Sequence, residues 1–231
     1  MISVIIPTCN EEAHMQATIQ LLYKYDEANL IQEIIVSDGG SCDNTVCIAK
    51  TAGAKVITSP KGRAKQMNFG ALAAQSEILY FLHADSIPPR NFTTPILNAY
   101  RNGIISGCFR LSFDYNHWFL KANAWFTRFD VNAVRFGDQS LFVTKEVFKN
   151  CGGFREDLIM MEDQEIVHRI KKHGRFKVMN GAVVTSAKKY LDNGVYRMQG
   201  IFFCIWLLYY LGYSQEYLLK LHRRLIRNQK L

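Results

Sequence analysis

Carboxylate side chains stand directly after two apolar runs of strand length in this sequence. Asp85 follows residues 78–82, and Asp38 follows residues 33–37. An unbroken apolar run such as 78–82 is typical of a strand buried on both faces of a parallel sheet. Open α/β sheets bind ligands beyond the carboxyl ends of their strands, where a carboxylate can hold a hard divalent cation together with a phosphate. The positions therefore predict a ligand site, and the alternative for Asp85 is a turn-capping role before Pro88.

The elements that must position these carboxylates follow from the pattern of apolar residues. Strands are predicted at residues 3–7, 33–37, 55–58 and 78–82, and helices at 13–25, at 46–52 and from the basic loop 61–65 to residue 74. This alternation indicates βαβ units and a parallel sheet. Right-handed crossovers place the loops after the strands at one edge. Those loops carry Asn10, Glu11, Glu12, Asp38, the basic residues of 61–65 and Asp85.

The second half of the sequence is less regular. Helices are predicted at 95–101, 118–129, 146–150 and 160–173, and strands at 106–113, 140–144 and 177–185. Glu162 and Asp163 fall near the start of the last of these helices, where they could act in catalysis or simply be favourable charges at a helix N-terminus. Neither G-x-G-x-x-G nor G-x-x-x-x-G-K-[ST] occurs, which argues against a dinucleotide oxidoreductase and a P-loop enzyme.

The composition predicts one sizeable α/β domain. The 231 residues are 48% hydrophobic and 21% charged, which suits a packed core. The net charge of +8 is compatible with phosphorylated ligands, nucleic acid or an anionic membrane. Nucleic-acid binding is disfavoured because the sequence lacks a basic stripe interleaved with aromatic residues. Six cysteines without a C-x-x-C pair predict reduced, mostly buried thiols. With no signal-peptide pattern at the N-terminus, we expect a cytoplasmic protein.

Five short motifs, in this order and spacing, resemble the glycosyltransferases of family 2, which have the GT-A fold. They read VIIPTCNEE (4–12), VSDGGSCDNT (36–45), HAD (83–85), GGF (152–154) and ED (162–163). The resemblance covers about residues 1–190 and implies a Rossmann-like, mostly parallel central sheet flanked by helices. Residues 61–68 and 136–139 further resemble the arsenosugar-biosynthesis-type subgroup of the family.

The resemblance implies an enzyme that transfers a hexose from a nucleotide-diphosphate sugar to an acceptor hydroxyl, with inversion at the anomeric carbon. The donor-binding residues that it implies are Pro7, Asn10, Glu11, Glu12, Asp38, Lys61, Arg63, Lys65 and Ala84. Among these, Asp38 would meet the base or the ribose, and Lys61, Arg63 or Lys65 the diphosphate.

On the reactive side, the resemblance assigns Mg²⁺ or Mn²⁺ to Asp85 and the role of catalytic base to Asp163. It places Asp138 and Glu162 near the acceptor. A departing diphosphate gathers negative charge, which a cation and basic side chains stabilise. An acceptor hydroxyl needs a carboxylate to remove its proton, and we expect the helix dipole to keep Asp163 ionised. The alternatives are a turn role for Asp38, a solvated basic loop at 61–65, and a buried backbone partner for Asp138.

The sequence departs from the family pattern in two places. The usual Asp-x-Asp is His83-Ala84-Asp85, so one carboxylate remains, and His83 is interpreted as a filler or supporting residue. The Q-x-x-R-W signature of processive synthases is missing, and residues 186–190 follow the last predicted strand instead. We therefore expect one sugar to be transferred per encounter.

The C-terminal segment, residues 191–231, is predicted to form an apolar stretch and a basic amphipathic helix beside the catalytic domain 1–190. The apolar stretch 200–213 is well short of the ~20 residues that a membrane-spanning helix needs. A basic amphipathic helix after it suits an anionic membrane surface, so residues 200–231 could contact the inner face of the cell membrane. Packing on the core and a homodimer contact remain alternatives.

Two other functions stay open at this stage. A transferase-like domain that has lost catalysis could bind a nucleotide or a membrane partner, and His83 in place of the first aspartate favours it. Retention of Asp85 and Asp163 argues against that reading. A nucleotidyltransferase on a related sheet is disfavoured because residues 8–12 replace its glycine-rich first loop.

Overall fold

The computed structural model describes residues 1–131 and 137–226, and within these ranges eight strands form one sheet. The strands are β1 (Ile2–Thr8), β2 (Ile31–Asp38), β3 (Lys55–Thr58), β4 (Ile78–Phe81), β5 (Ser86–Ile87), β6 (Ser106–Phe113), β7 (Leu141–Thr144) and β8 (Phe176–Thr185). Their order is β3-β2-β1-β4-β7-β6-β8-β5. Only β7 and β5 run antiparallel to their neighbours. The predicted mostly parallel α/β sheet is confirmed.

In the described ranges, the helices lie between the strands and after the last of them. They are α1 (Glu12–Tyr25), α2 (Thr45–Thr51), α3 (Arg63–Ala73), α4 (Thr93–Arg101), α5 (Trp118–Phe126), α6 (Lys145–Asn150), α7 (Glu162–Ile170), α8 (Lys188–Asn193), α9 (Val195–Tyr210) and α10 (Gln215–Leu225). A 3₁₀ turn covers Gly137–Gln139. The sequence pattern did not predict β5 and α8, because two and six residues are too few for a periodicity to show.

Strand β4 is buried on both faces, as its apolar run predicted. Ile78 and Tyr80 belong to one apolar cluster, packed with α1 and α4. Leu79 and Phe81 point to the other face and belong to a second cluster, with α3, α6 and α7. Alternate side chains of a strand face opposite sides of a sheet, so helices cover both faces.

The strand order reverses between β1 and β4, which marks where a ligand crevice should open. From β1 the chain adds β2 and then β3 on one side, and β4 on the other. β1 runs one residue beyond Pro7, where we predicted its end, but its pairing with β4 stops at Ile5. The carboxyl ends of β1 and β4 therefore separate, and residues 9–12 and 83–85 face the opening between them.

A third apolar cluster joins the C-terminal helices to the rest of the chain. Met198, Ile201 and Ile205 of α9 pack there with Leu120 of α5, and Phe113 of β6 borders them. The cluster thus contains residues from both sides of the predicted boundary at 190. In the described ranges, no helix has the length and apolarity that crossing a membrane would require.

The cysteines differ from the prediction of mostly buried thiols. All six are free, but only Cys108 is buried, whereas Cys42, Cys47 and Cys204 are exposed. Cys42 and Cys47 lie in the polar loop after β2 and on the outer side of α2, so the burial expected of an unpaired cysteine does not hold there.

Candidate functional site

The loops that follow β1 and β2 are joined by hydrogen bonds between side chains and backbone amides. The amide of Asn10 donates to Ser41 Oγ at 2.9 Å, and Asn10 Oδ1 accepts from the amide of Cys42 at 2.8 Å. The amide of Glu11 donates to Thr45 Oγ1 at 2.8 Å. Asn10 has a φ of +57°, a left-handed conformation that asparagine tolerates better than most residues. The crevice beyond β1 therefore has a prebuilt wall.

Glu12 and Asp43 continue this wall. The amide of Glu12 donates to Asp43 Oδ2 at 3.2 Å, and Glu12 Oε2 accepts from the amide of Asn44 at 3.0 Å. These hydrogen bonds place the first turn of α1 beside the N-terminus of α2. The segment that holds the predicted donor residues Asn10, Glu11 and Glu12 is thus fixed against the loop after β2.

Asp38 is buried in the turn that it forms. Its Oδ2 accepts from the amides of Gly40 and Ser41, both at 3.0 Å, and its Oδ1 accepts from the Ser41 hydroxyl. This geometry is that of the turn role we kept as an alternative. The contact of Asp38 with a base or ribose stays a prediction.

Helix α3 is tied to the carboxyl ends of β1 and β2 by Gln66. Gln66 Nε2 donates to the carbonyls of Thr8 and Ser37. A Cβ atom on Gly39 would meet Gln66 Nε2 at 2.9 Å, so the approach needs a glycine there. We did not predict this residue; the available signal was a neutral polar side chain beside Met67 in the apolar part of the helix. Because Gln66 lies one turn after Arg63, the tie fixes the start of α3 at the crevice.

Arg63 connects the donor side to the start of α7. Its Nη1 lies 3.2 Å from Glu162 Oε1 and 3.9 Å from Asp163 Oδ2. Desolvation alone would lower the pKa of Arg63, but Glu162, Asp163, Asp138 and Asp85 together raise it above its usual value. The guanidinium is 45% exposed, so it remains accessible to a ligand. Of the three predicted basic residues, Arg63 alone pairs with a carboxylate in the described ranges, whereas Lys61 is exposed and Lys65 half-buried.

Asp163 is a weaker acid than its helix position suggested. Burial, with a smaller contribution from the charge of Glu162, raises its pKa to about 8, although Arg63 acts in the opposite direction. Burial acts against the expected effect of the helix dipole, because desolvation favours the neutral carboxyl group, so the expectation that the dipole keeps Asp163 ionised stays a prediction. A carboxylate that titrates near neutral pH is well matched to general-base catalysis.

The backbone that presents Asp163 is strained and held from outside the helix. Met161 has a φ of +70° and provides no side-chain cap to α7. The amides of Ile159 and Met160 both donate to Gln215 Oε1 of α10, each at 3.0 Å. Strained residues persist where the surrounding structure holds them, and they cluster at functional sites. Gln215 was not predicted, because its partners lie more than fifty residues away.

His83, Asp85 and Asp138 complete the rim. Burial, assisted by the charge of Arg63, lowers the pKa of His83. Asp85 is exposed. No described residue forms a hydrogen bond or an ion pair with its carboxylate. Asp138 lies half-buried in the 3₁₀ turn, next to Gln139, whose Nε2 donates to the carbonyl of Phe109 at 3.1 Å.

Two predicted donor residues are buried at the strand ends. Pro7 lies within β1, and Ala84 follows β4, with its carbonyl accepting from Thr18 Oγ1 at 2.6 Å. The predicted motif residue Phe136 and the basic residues Arg227 and Lys230 lie outside the described residues. Arg63, Asp85, Asp138 and Asp163 lie close enough for the charge of Arg63 to interact with all three carboxylates.

The donor set fits a divalent cation only if the substrate supplies most of its ligands. Across residues 1–131 and 137–226, no group of three or more His, Cys, Asp and Glu side chains is arranged to hold a metal ion. Mg²⁺ is commonly bound by one or two carboxylates together with substrate phosphates and water. An exposed carboxylate that no described residue pairs with, as at Asp85, suits that mode of binding.

The fold is that of GT-A glycosyltransferases. A fragment of TarS from S. aureus has a TM-score of 0.67 at 17% identity, over 81% of this chain and 61% of that chain. The mannosyltransferase PcManGT from Pyrobaculum calidifontis, in complex with GDP-Man and Mn²⁺, has a TM-score of 0.65 at 17% identity, over 80% of this chain and 56% of that one. At these identities the likeness concerns the fold alone.

Sequence comparison identifies the family. The family model described as Glycosyl transferase family 2 matches residues 3–158, well over half of the chain. The chain belongs to glycosyl transferase family 2. A glucosyl-3-phosphoglycerate synthase of Mycobacterium tuberculosis is 30% identical over 105 residues, which are 42% of this chain. An uncharacterised glycosyltransferase of Rickettsia typhi is 48% identical over 59 residues, or 26% of this chain.

The matches to these relatives are partial. This chain spans about a third (32%) of the length of the synthase and 18% of the Rickettsia protein. The family match ends at residue 158, so Glu162, Asp163 and the C-terminal helices lie beyond it. Their roles depend on the geometry of this molecule.

Proposed function

We propose that this protein transfers one sugar from a nucleotide-diphosphate sugar to an acceptor hydroxyl, with inversion at the anomeric carbon. The observation that carries the proposal is the position of Arg63. It is paired with Glu162 and Asp163 and lies within the electrostatic influence of Asp85 and Asp138, at the crevice where the strand order reverses. A guanidinium between carboxylates at such a crevice suits a substrate that has a diphosphate next to its reacting carbon.

On the donor side, the joined loops after β1 and β2 would bind the nucleoside, and the basic residues would meet the diphosphate. Arg63 is exposed enough to reach a ligand and is already fixed by α3. Asp85 would hold Mg²⁺ or Mn²⁺, which, when bound, offsets the negative charge of the departing diphosphate. A diphosphate that attracts Arg63 would also weaken its pairing with Asp163 and leave that carboxylate more basic.

On the acceptor side, Asp163 would accept the proton of the attacking hydroxyl. With a pKa of about 8, a useful fraction is ionised at neutral pH and its basicity is high. General-base catalysis of this kind typically increases the reaction rate about 10²–10⁴-fold. Asp138 and Glu162 would lie beside the acceptor, and a single displacement by the hydroxyl inverts the anomeric centre.

The finer features of this activity also belong to the proposal. Single-sugar transfer is supported by the missing processive signature, and peripheral membrane contact through residues 200–231 is supported by their apolar and basic composition. A homodimer contact is the alternative use of that segment. The likeness to the arsenosugar-biosynthesis-type subgroup stays a prediction.

A catalytically inactive nucleotide-binding protein is the second candidate. The observation that favours it is His83, which occupies the place of a metal-binding carboxylate and whose pKa is lowered by burial. Such a protein would bind a nucleoside diphosphate without releasing it from a nucleotide sugar.

The test is a thermal-shift panel of nucleoside diphosphates with and without Mn²⁺. A ligand that binds only the folded state raises the melting temperature by mass action. We expect one nucleotide to do so in a Mn²⁺-dependent manner, and Asp85→Ala to abolish the shift while the surface control Asp157→Ala keeps it. Absence of any shift across the panel would contradict the proposal.

A companion assay separates catalysis from binding. Nucleotide release from UDP- and GDP-sugars should be detectable in the wild type and lost in Asp163→Ala, which should still show the nucleotide-dependent shift. Loss of both would mean that Asp163 is not the base. A shift without any release from the wild type would favour the inactive binding protein.

A further inference from the structure

Helix α9 presents an apolar face to solvent. Tyr196, Phe203, Leu207 and Tyr210 are 57%, 59%, 42% and 55% exposed and lie along one side of the helix, here called the α9 outer face. The opposite side is buried in the third apolar cluster. Contiguous exposed apolar surface on this scale marks an interaction site. Tyr196 also contacts the rings of His117, Trp118 and Phe119, but the α9 outer face stays largely open to solvent and is available to a partner.

The surroundings of the α9 outer face are basic. No acidic residue occurs between Asp192 and Glu216. Arg197 on α9 and Lys220 and Arg224 on α10 are exposed. Positive charge beside an apolar face that contains tyrosines is complementary to an anionic bilayer, since tyrosine places its ring in the apolar layer and its hydroxyl among the headgroups.

The length of α9 agrees with a position in the membrane interface. Its 16 residues extend about 24 Å, which is less than the ~30 Å of a hydrocarbon core. Only one side is apolar at the surface, so the helix would lie in the plane of the membrane. A second copy of this chain is a less suitable partner, because a two-fold contact between α9 faces would bring two basic α10 helices towards each other.

The C-terminal helices also form a wall of the candidate site. Gln215 of α10 holds the loop before Asp163. The charge of Asp138 contributes to the raised pKa of Tyr190 on α8, and Arg63 contributes to the lowered pKa of His222 on α10. The α9 outer face thus belongs to the same group of helices that borders the crevice.

We propose that the α9 outer face binds the surface of an anionic lipid bilayer. Tyr196, Phe203, Leu207 and Tyr210 enter the interface, while Lys220 and Arg224 meet the headgroups. Docked in this way, the chain brings the crevice to an acceptor hydroxyl carried at the bilayer surface. That consequence rests on the proposed sugar transfer, whereas the binding, which specifies the membrane contact proposed above, is tested without any transfer.

The test is flotation of the purified full chain with vesicles of phosphatidylcholine mixed with phosphatidylglycerol, and with vesicles of phosphatidylcholine alone. We expect binding to the anionic vesicles that weakens as salt is raised. The pair Phe203→Ser and Leu207→Ser should weaken binding about tenfold or more. The matched control is Phe69→Ser with Leu72→Ser, which removes the same two side-chain types from the exposed surface of α3 and should leave binding intact.

Charge reversal provides an independent arm. Lys220→Glu with Arg224→Glu should weaken binding to anionic vesicles by about tenfold or more, while Lys24→Glu with Arg101→Glu should have little effect. Each variant must retain the wild-type melting temperature within a few degrees. If the serine pair does not fold, the single variant Leu207→Ser replaces it and should still weaken binding.

Three outcomes would overturn the inference. One is no binding to anionic vesicles, and another is binding that the α3 control weakens as much as the α9 pair. The third is a dimer, detected by light scattering without vesicles, that the α9 pair dissociates, since a second copy would then occupy the face. Nucleotide-dependent thermal shifts of the same samples keep this result separate from the proposed function.

Discussion

The two walls of the crevice are built by different interactions. The wall formed by the loops after β1 and β2 is held by backbone amides that donate to the side chains of Ser41, Thr45 and Asp43. The wall formed by the start of α7 is held by the Arg63 ion pairs and by Gln215. Hydrogen bonds from backbone amides fix the first wall, whereas partly buried ion pairs and a distant helix fix the second.

The difference shows where binding and where reactivity reside. Preorganised hydrogen bonds give a rigid surface for a ligand. Burial of several carboxylates around one guanidinium shifts the pKa of Asp163 to about 8. Asn10 and Met161 both have positive φ, but the side chain of Asn10 bonds to the loop beside it, whereas Met161 depends on α10. The second wall is therefore the more sensitive to substitution.

The largest effect is expected from a substitution of Asp163, in the wall formed by the start of α7. Asp163→Asn keeps the size of the side chain but cannot accept a proton, so nucleotide-sugar turnover should fall about 10²–10⁴-fold. Nucleotide-dependent thermal stabilisation should be unchanged, because the donor wall is intact. Turnover is measured by nucleotide release, with Asp157→Asn as the control. Activity within a few-fold of wild type would remove Asp163 from the mechanism.

Breaking the tie between the walls should mainly cost stability. Gln66→Leu removes the side-chain donor that the carbonyls of Thr8 and Ser37 share, although these still accept from the Gly39 amide and from Thr8 Oγ1. The free energy of unfolding should therefore fall by about 0.5–1.5 kcal/mol. Urea denaturation measures the change, and Gln20→Leu on the exposed side of α1 should be nearly neutral. If Gln66→Leu were as stable as wild type, the tie would not hold α3 in place.

The pH dependence of turnover sharpens the comparison. The base must be deprotonated, so kcat/KM should rise as pH rises through the pKa of Asp163 in the free enzyme. Glu162 raises that pKa, and Glu162→Gln should therefore move the acid limb to lower pH. Glu27→Gln is the surface control. An acid limb that does not move, or that moves to higher pH, would contradict the assigned coupling.

The smallest expected effect concerns α10, a C-terminal helix that borders the crevice. Burial lowers the pKa of His222 from 6.5 to about 4, so the unfolded chain binds a proton at higher pH than the folded chain does. The stability that this gives is complete above pH 6.5 and is lost as pH falls towards 4. His222→Leu should flatten the decline in urea stability between these values. An unchanged decline would mean that other groups cause it.

Much of the donor wall could be predicted because its signals are local. The run 78–82, the turn after Asp38 and the motif at 10–12 each show their structure within a few residues, and the sheet brings them together by topology. Gln66, Gln215 and the partner of Arg63 could not be predicted in this way, since Arg63 and Glu162 are 99 residues apart. The prediction of mostly buried cysteines was wrong for a similar reason. The residue type favours burial, but the position of each cysteine in the fold decides whether its side chain is buried.

The sequence by itself determined the alternation of strands and helices, the family and the set of charged residues at the crevice, because periodicity and motif spacing are properties of short segments. Only the tertiary structure decided that Asp163 is a weak acid, that Arg63 pairs with it, and that α9 exposes an apolar face. The physical reason is that desolvation and charge pairing depend on which distant segments pack together, and the sequence pattern does not record that packing.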